Sequence, residues 1–177
     1  MYEDLKGKTA LITGSGKRTG MGYAMAEILA GAGTNVIIAD LGRGEVIDGD
    51  LKMGAWEEMT RLAGELAERF GVATLAVAVD VTDNASIAAM VATVRERFPR
   101  VDILCNNAGA SFGVPNAVLT YDEAAWLKTI DVNLHSVFRI SRAVIPLMAG
   151  APGVIINTAS RAGKVPPLFN GAYAVAK

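Results

Sequence analysis

A glycine-rich turn is the first stretch whose residue types could hold a ligand. Thr13-Gly14-Ser15-Gly16-Lys17-Arg18-Thr19-Gly20-Met21-Gly22 follows an apolar, β-branched run and opens into an amphipathic one. Between a strand and a helix, glycines let the backbone approach a pyrophosphate, and the unpaired N–H groups of the helix start receive its charge. An acid then ends the next apolar run. Asp40 lies 26 residues beyond Gly14, where its carboxylate can accept both hydroxyls of an adenosine ribose. A carboxylate there repels a 2′-phosphate and so favours NAD over NADP. Lys17 and Arg18 are the opposing charges, since either could reach such a phosphate. A glycine turn alone can be a mere flexible connection. The strand before it, the helix after it and the acid beyond it are what point to a dinucleotide.

The hydropathy pattern supplies the frame those residues need. Runs at Thr9–Thr13, Asn35–Asp40, 75–79, 101–106 and 153–157 are each apolar on both faces, as parallel strands covered by helices must be. Between them, residues 22–32, 55–70, 85–98 and 123–148 carry apolar side chains at three-to-four spacing and predict helices. In the third of these, Ala85, Ala88, Ala89, Val91 and Ala92 form the expected inward stripe, while Arg95, Glu96 and Arg97 face water. Asp83 or Asn84 supplies its cap and Pro99 its stop. Strand–helix alternation of this kind gives βαβ units and an open, doubly wound α/β parallel sheet. Residues 41–54, rich in glycine and acid, are expected as a surface loop.

Composition narrows the function. The 177 residues are 51% apolar and fit one domain with a sizeable core. With 17 Lys+Arg against 18 Asp+Glu and no basic cluster, a nucleic-acid or anionic-membrane partner is not expected. No apolar run approaches the roughly 18–20 residues of a membrane span. The N-terminus has no apolar signal core, so a cytoplasmic location is expected. Cys105 is the sole cysteine, which excludes an internal disulfide and a multi-cysteine metal site.

Further motifs complete an ordered set. Asp80-Val81 follows the third strand, Asn106-Asn107-Ala108-Gly109 the fourth, and Asn157-Thr158-Ala159-Ser160 ends the fifth; Tyr173-Ala174-Val175-Ala176-Lys177 closes the sequence. With these, the whole chain resembles the short-chain dehydrogenase/reductase family. The family's glycine motif, Thr-Gly-x-x-x-Gly-x-Gly, matches Gly14, Gly20 and Gly22, with Gly16 inside a loop two residues longer. The resemblance implies a Rossmann-type sheet with strand order 3-2-1-4-5 and an adenine bracketed by Asp80 and the backbone N–H of Val81. It further implies a backbone at Asn107, Ala108 and Gly109 that passes close to the cofactor. Tyr-x-x-x-Lys alone is a weak signal; Ser160 thirteen residues before Tyr173 and Asn133 twenty-seven before Ser160 make it specific.

Hydride transfer between an alcohol and a nicotinamide requires a group that takes the hydroxyl proton. A tyrosine does this when its pKa, about 10 when free, is brought toward neutrality. Lys177, four residues beyond Tyr173 on one helical face, puts a positive charge on the same side. Ser160 would orient the substrate oxygen. By the resemblance, Asn133 holds a water linking the lysine to solvent, and Lys177 grips the nicotinamide ribose; Met21 joins the cofactor-binding set. No metal is expected. His135, the only histidine, has no second histidine or thiol to pair with. Cys105 reads as a small core residue, Trp56 and Trp126 as packing groups, and Asp102 as a hydrogen-bonded structural acid.

The leading reading is an oxidoreductase that moves a hydride between NAD(H) and a small alcohol or ketone. An NADPH-dependent carbonyl reductase and a non-catalytic dinucleotide-binding fragment stand as alternatives; an epimerase or dehydratase of the extended relatives is disfavoured by residues 106–109 and by the glycine spacing. Substrate is expected against residues 110–116 and 161–170, where Pro166, Pro167, Leu168 and Phe169 suggest an apolar wall. Family members commonly form dimers or tetramers, so a homo-oligomer is expected by analogy. They also continue beyond the Tyr-x-x-x-Lys signature. A helix starting at Ala172 has barely one turn before Lys177, and residues 154–157 would be an uncovered apolar edge. The sequence is therefore expected to be part of a longer chain, insoluble or inactive when expressed alone.

Overall fold

The computed structural model describes residues 3–44, 46–47, 51–52 and 54–177. Five parallel strands form one sheet: β1 (Thr9–Thr13), β2 (Asn35–Asp40), β3 (Thr74–Ala78), β4 (Ile103–Asn106) and β5 (Val154–Asn157). Their order across the sheet is β3-β2-β1-β4-β5, the expected 3-2-1-4-5. The β1–β2 pairing runs from Thr9 opposite Asn35 to Thr13 opposite Ala39, so the glycine turn and Asp40 emerge at the same edge of the sheet.

Alternate residues of the central strands supply two cores. Ala10, Ile12, Val36 and Ile38 point to the face covered by α1 (Met21–Gly31) and α2 (Trp56–Phe70), whose Ala26, Ala30, Met59, Leu62 and Leu66 complete the packing. Leu11, Ile37, Ala39 and Leu104 point to the other face. That face is covered by α3 (Asn84–Arg97) and α5 (Ser136–Met148) through Ile87, Met90, Val94, Ile140 and Val144. A strand apolar on both sides is what a sheet covered on both sides selects.

Several expectations are corrected. The inward stripe of α3 is Ile87, Met90, Val91 and Val94; Ala85, Ala88, Ala89 and Ala92 are exposed. Both stripes have helical spacing, and the one with larger side chains is buried because apolar area drives burial, at about 25 cal/mol per Å². Asp83 caps this helix by accepting the amide of Ala85 at 2.9 Å. Residues 123–148 are not one uniform α-helix: α4 (Glu123–Ile130) passes through a π-helical turn, Asp131–His135, into α5. Residues 41–54 are not a plain loop, since Val46–Ile47 and Leu51–Lys52 pair as a short antiparallel ribbon. Glu45, Asp48, Gly49, Asp50 and Met53 of that loop lie outside the described residues. Trp56, at the start of α2, is exposed rather than packed. Strand β5, read as buried, exposes all four residues, because among the described residues nothing lies against its outer side. No helix among them is long and apolar enough to cross a membrane.

Candidate functional site

β1 delivers the glycine turn to the carboxyl edge of the sheet, where it crosses the turn after β4. Gly14 has a φ of 67°, and a Cβ on it would lie 2.8 Å from the Cα of Ala108. Only hydrogen fits there. Thr13 stitches the two turns together: its hydroxyl donates to the carbonyl of Cys105 at 3.4 Å and accepts the amides of Asn107 and Ala108, each at 3.1 Å. Asn107 Nδ2 donates to the carbonyls of Thr13 and Gly14 at 2.9 and 3.1 Å. Gly20 is the N-cap of α1, and Gly22 sits in its first turn against the carbonyl of Gly14.

Asp40 ends β2 half-buried. Its Oδ2 accepts the amide of Gly16 and its Oδ1 the amide of Leu41, both at 2.8 Å. Burial pushes this carboxyl above its ordinary value, against the pull of those two amides and of Lys17. Each oxygen keeps a further lone pair with which to accept a hydroxyl. After β3, Asp80 Oδ1 accepts the amide of Thr82 at 3.0 Å and its hydroxyl at 2.6 Å, a turn that seats Val81 in the core.

A cavity of about 420 Å³ opens between these elements. Of the residues expected to hold a cofactor, Gly14, Lys17, Gly20, Met21, Asp40, Asp80, Val81, Asn107, Ala108 and Gly109 line it. Gly16 and Gly22 stand behind that surface, backing Asp40 and Gly14. Arg18 turns away to α2, where its guanidinium pairs with Glu65.

Asn133 and Lys177 line a neighbouring hollow beside the end of β5. The buried Asn133 donates through Nδ2 to the carbonyls of Ala110 and Thr129, at 2.5 and 2.8 Å, while its Oδ1 is buried without a partner. A Cβ on Gly109 would stand 2.6 Å from that Oδ1 and 3.4 Å from Lys177 Nζ, so both polar atoms converge on the bare face of Gly109. In α6 (Gly171–Ala176), Tyr173 is half-buried, and the amide of Lys177 closes a helical turn onto its carbonyl at 3.0 Å. Lys177 Nζ donates to the carbonyl of Thr158 at 2.9 Å and lies 5.7 Å from the Tyr173 ring centroid. Burial lowers the pKa of this ammonium. Ser160 caps the single turn Arg161–Gly163, its Oγ accepting the amide of Ala162 at 3.1 Å. Neither Ser160 nor Tyr173 lines either hollow. The expected apolar wall is an exposed segment, with Leu168 and Phe169 facing outward.

Other singled-out residues are structural. Asp102 accepts the amide of Thr9 at 2.9 Å and Arg100 Nε at 2.7 Å. Cys105 is buried, and burial pushes its thiol up to about 11. His135 Nδ1 lies 3.0 Å from Asp131 Oδ1, and among the described residues no group of three or more His, Cys, Asp or Glu could hold a metal ion. The cavity also takes in Arg43, Gly54, Phe112, Lys128, Asp131 and Val132, which the sequence reading passed over. Lys128, Asp131 and Val132 share one helical face by their i, i+3, i+4 spacing, but nothing in the sequence turns that face toward the glycine turn. Gly54 had no such signal: it meets the glycine turn, where its Cβ would lie 2.7 Å from the carbonyl of Gly16.

A glycine turn and an acid-tipped second strand at the carboxyl edge of a 3-2-1-4-5 sheet define a Rossmann-type α/β protein. The chain belongs to the short chain dehydrogenase family, whose model matches residues 8–177. It is 39% identical over 170 residues to trans-4-hydroxycyclohexanecarboxylate dehydrogenase of Sinomonas cyclohexanicum, covering 96% of this chain and 61% of that protein. To D-beta-hydroxybutyrate dehydrogenase of Rhizobium meliloti (strain 1021) it is 37% identical over 171 residues, covering 96% and 60%. Among solved structures, NAD+-bound xylitol dehydrogenase superposes with a TM-score of 0.83 at 29% identity, covering 98% of this chain and 60% of that one. L-sorbose reductase from Gluconobacter frateurii, complexed with NADPH and L-sorbose, gives 0.82 at 31%, covering 97% and 59%. The chain thus spans about three fifths of the length of the relatives it matches.

Proposed function

We propose that this protein is an oxidoreductase that moves a hydride between NAD(H) and the CH–OH or C=O group of a small alcohol or ketone. The observation that carries the reading is the convergence of Asn133 Oδ1 and Lys177 Nζ on Gly109, with the Tyr173 ring beside the ammonium, next to a glycine-lined cavity. The cavity suits a dinucleotide: Gly14 leaves no room for a side chain, and the start of α1 offers backbone donors. The nicotinamide, when bound, supplies the hydride acceptor or donor. Asp40 accepts the adenosine ribose hydroxyls through its remaining lone pairs, which favours NAD. Val81, Asn107, Ala108 and Gly109 shape the floor.

Tyr173, with the Lys177 ammonium beside its ring, takes the substrate hydroxyl proton in oxidation and returns it in reduction. Ser160, whose Oγ accepts the amide of Ala162, keeps its hydroxyl proton to donate to the substrate oxygen. Asn133, its Nδ2 fixed to two carbonyls, presents Oδ1 to a water beside Lys177 and so connects the lysine to solvent. The named relatives, dehydrogenases and reductases of hydroxy acids and sugars, support this reaction class. One observation favours NADPH instead: Lys17 and Arg43 line the same cavity as Asp40.

The test is Tyr173→Phe, assayed against a panel of alcohols and ketones with both cofactors. Turnover is expected to fall about 10²- to 10⁴-fold while cofactor binding persists. Unchanged turnover removes the mechanism, and tighter binding of NADPH than NADH by the unaltered protein removes the preference assigned to Asp40.

A further inference from the structure

The glycine loop carries two more residues than the family motif, and α2 holds the extra length. The amide of Arg18 donates to Glu58 Oε1 at 3.1 Å. Its guanidinium pairs with Glu65 and lies with Cζ 5.4 Å from the Tyr23 ring centroid. Glu65 is shared with Arg61, one turn away on the same helix, at 2.5 Å. Two carboxylates of one helix therefore fix residue 18, one through its backbone and the other through its side chain. Residue 18 is also close to the ribose acid by chain length alone. Gly16 donates its amide to Asp40, and two further residues span at most roughly 7 Å. Arg18 itself does not line the cavity, whereas its neighbour Lys17 does.

We propose that Glu65 sets the cofactor preference of this protein by drawing Arg18 away from the place where a 2′-phosphate would lie. Glu58 is a positioning residue that pins the loop, and Glu65 is a specificity-determining residue that acts through Arg18. Asp40 repels the extra phosphate, and Glu65 holds back a cation that would otherwise add to Lys17 and Arg43, which line the cavity. The inference rests on the dinucleotide reading above and adds to it a residue on a helix outside the cavity. In support, each partner raises the stability of the other's charged form: Arg18 draws the Glu65 carboxyl below its usual value, and Glu65 raises the guanidinium.

The test is a two-by-two set in the full-length protein, namely the unaltered form, Glu65→Gln, Arg18→Gln and the double variant. NADH and NADPH are titrated against each by cofactor fluorescence and by calorimetry at low salt, with no turnover required. Both side chains are substantially exposed, so the expected gain is modest. Glu65→Gln raises the affinity for NADPH relative to NADH about three- to five-fold. The double variant returns to the unaltered ratio, Arg18→Gln alone leaves the ratio within about two-fold, and high salt shrinks the gain. A merely structural role for Glu65 loosens the loop and weakens both cofactors alike, which overturns the proposal. So does a gain that persists in the double variant, since Lys17 or Arg43 would then be its source. Binding of neither cofactor by the unaltered full-length protein sinks the dinucleotide reading itself.

Discussion

Gly22→Ala is the substitution for which the geometry gives the most definite expectation. The new methyl would stand 2.4 Å from the carbonyl oxygen of Gly14, 2.8 Å from Ser15 Cα and 2.7 Å from Asn107 Nδ2. Two of these neighbours are backbone, so no rotamer change makes room, and the start of α1 must retreat from the turn by about 1 Å. Retreat also strains the two hydrogen bonds from Asn107 to Thr13 and Gly14. Overpacking of this kind costs about 1–3 kcal/mol, or roughly five- to 150-fold when it falls on a binding equilibrium. Gly20→Ala is the matched control, since its methyl would meet nothing closer than the carbonyl of Lys17 at 3.2 Å and needs a shift of tenths of an ångström. Cofactor titration is expected to show Gly22→Ala weakened at least about five-fold and Gly20→Ala by less than about three-fold, with thermal denaturation following the same order. Equal affinities for the two variants would refute the view that the close crossing at Gly14 and Gly22 builds the cofactor floor.

Three other outcomes are accessible. Asp102→Asn is expected to lose about 2 kcal/mol of stability at neutral pH. Although burial pushes this carboxyl up, Arg100, the Thr9 amide and Lys8 carry it below its ordinary value. Its contribution is therefore present above the unfolded-state pKa and lost as pH falls through the lower folded one, so urea melts of the two proteins should converge in acid; a constant gap down to pH 2 would contradict this. Phe169 has a φ of 61° with its ring largely exposed, and Phe169→Asn is expected to raise the melting point by relieving about 1 kcal/mol of backbone strain; a lower melting point would show that the ring packs. Finally, Cys105 is buried and its thiol is pushed up to about 11, so native protein should resist thiol reagents at pH 8 and react only on unfolding; rapid native labelling would place it at the surface.

Much of the frame was legible because burial on both faces leaves a simple imprint. The runs at Thr9–Thr13 and Asn35–Asp40 match strands to the residue, and Asp83 and Asp102 act as their types and positions suggest. Where the reading failed, it failed on relations between distant segments. The alanines of α3 counted as apolar, but the bulkier Ile87, Met90 and Val94 took the core. Glu65 lies 47 residues from Arg18, and their meeting depends on how α2 packs beside the glycine turn, which no local pattern encodes. Periodicity reports that Val154, Ile155 and Ile156 are apolar but not what, if anything, lies over them. In the site, glycine spacing and Asp40 located the cavity, whereas Lys128 and Asp131 joined it only through the placement of α4 and its π-helical turn.

The hydroxyl of Thr13 has a consequence for how sequence drift in this protein should be judged. Valine matches threonine in outline and would fill the same volume between the two central strands. It would nevertheless leave the successive amides of Asn107 and Ala108 without their shared acceptor, in a place where water has little access. Tolerance at position 13 is therefore governed by a single oxygen atom, and a substitution scored as conservative by size would unpick the seam between the first and fourth strands.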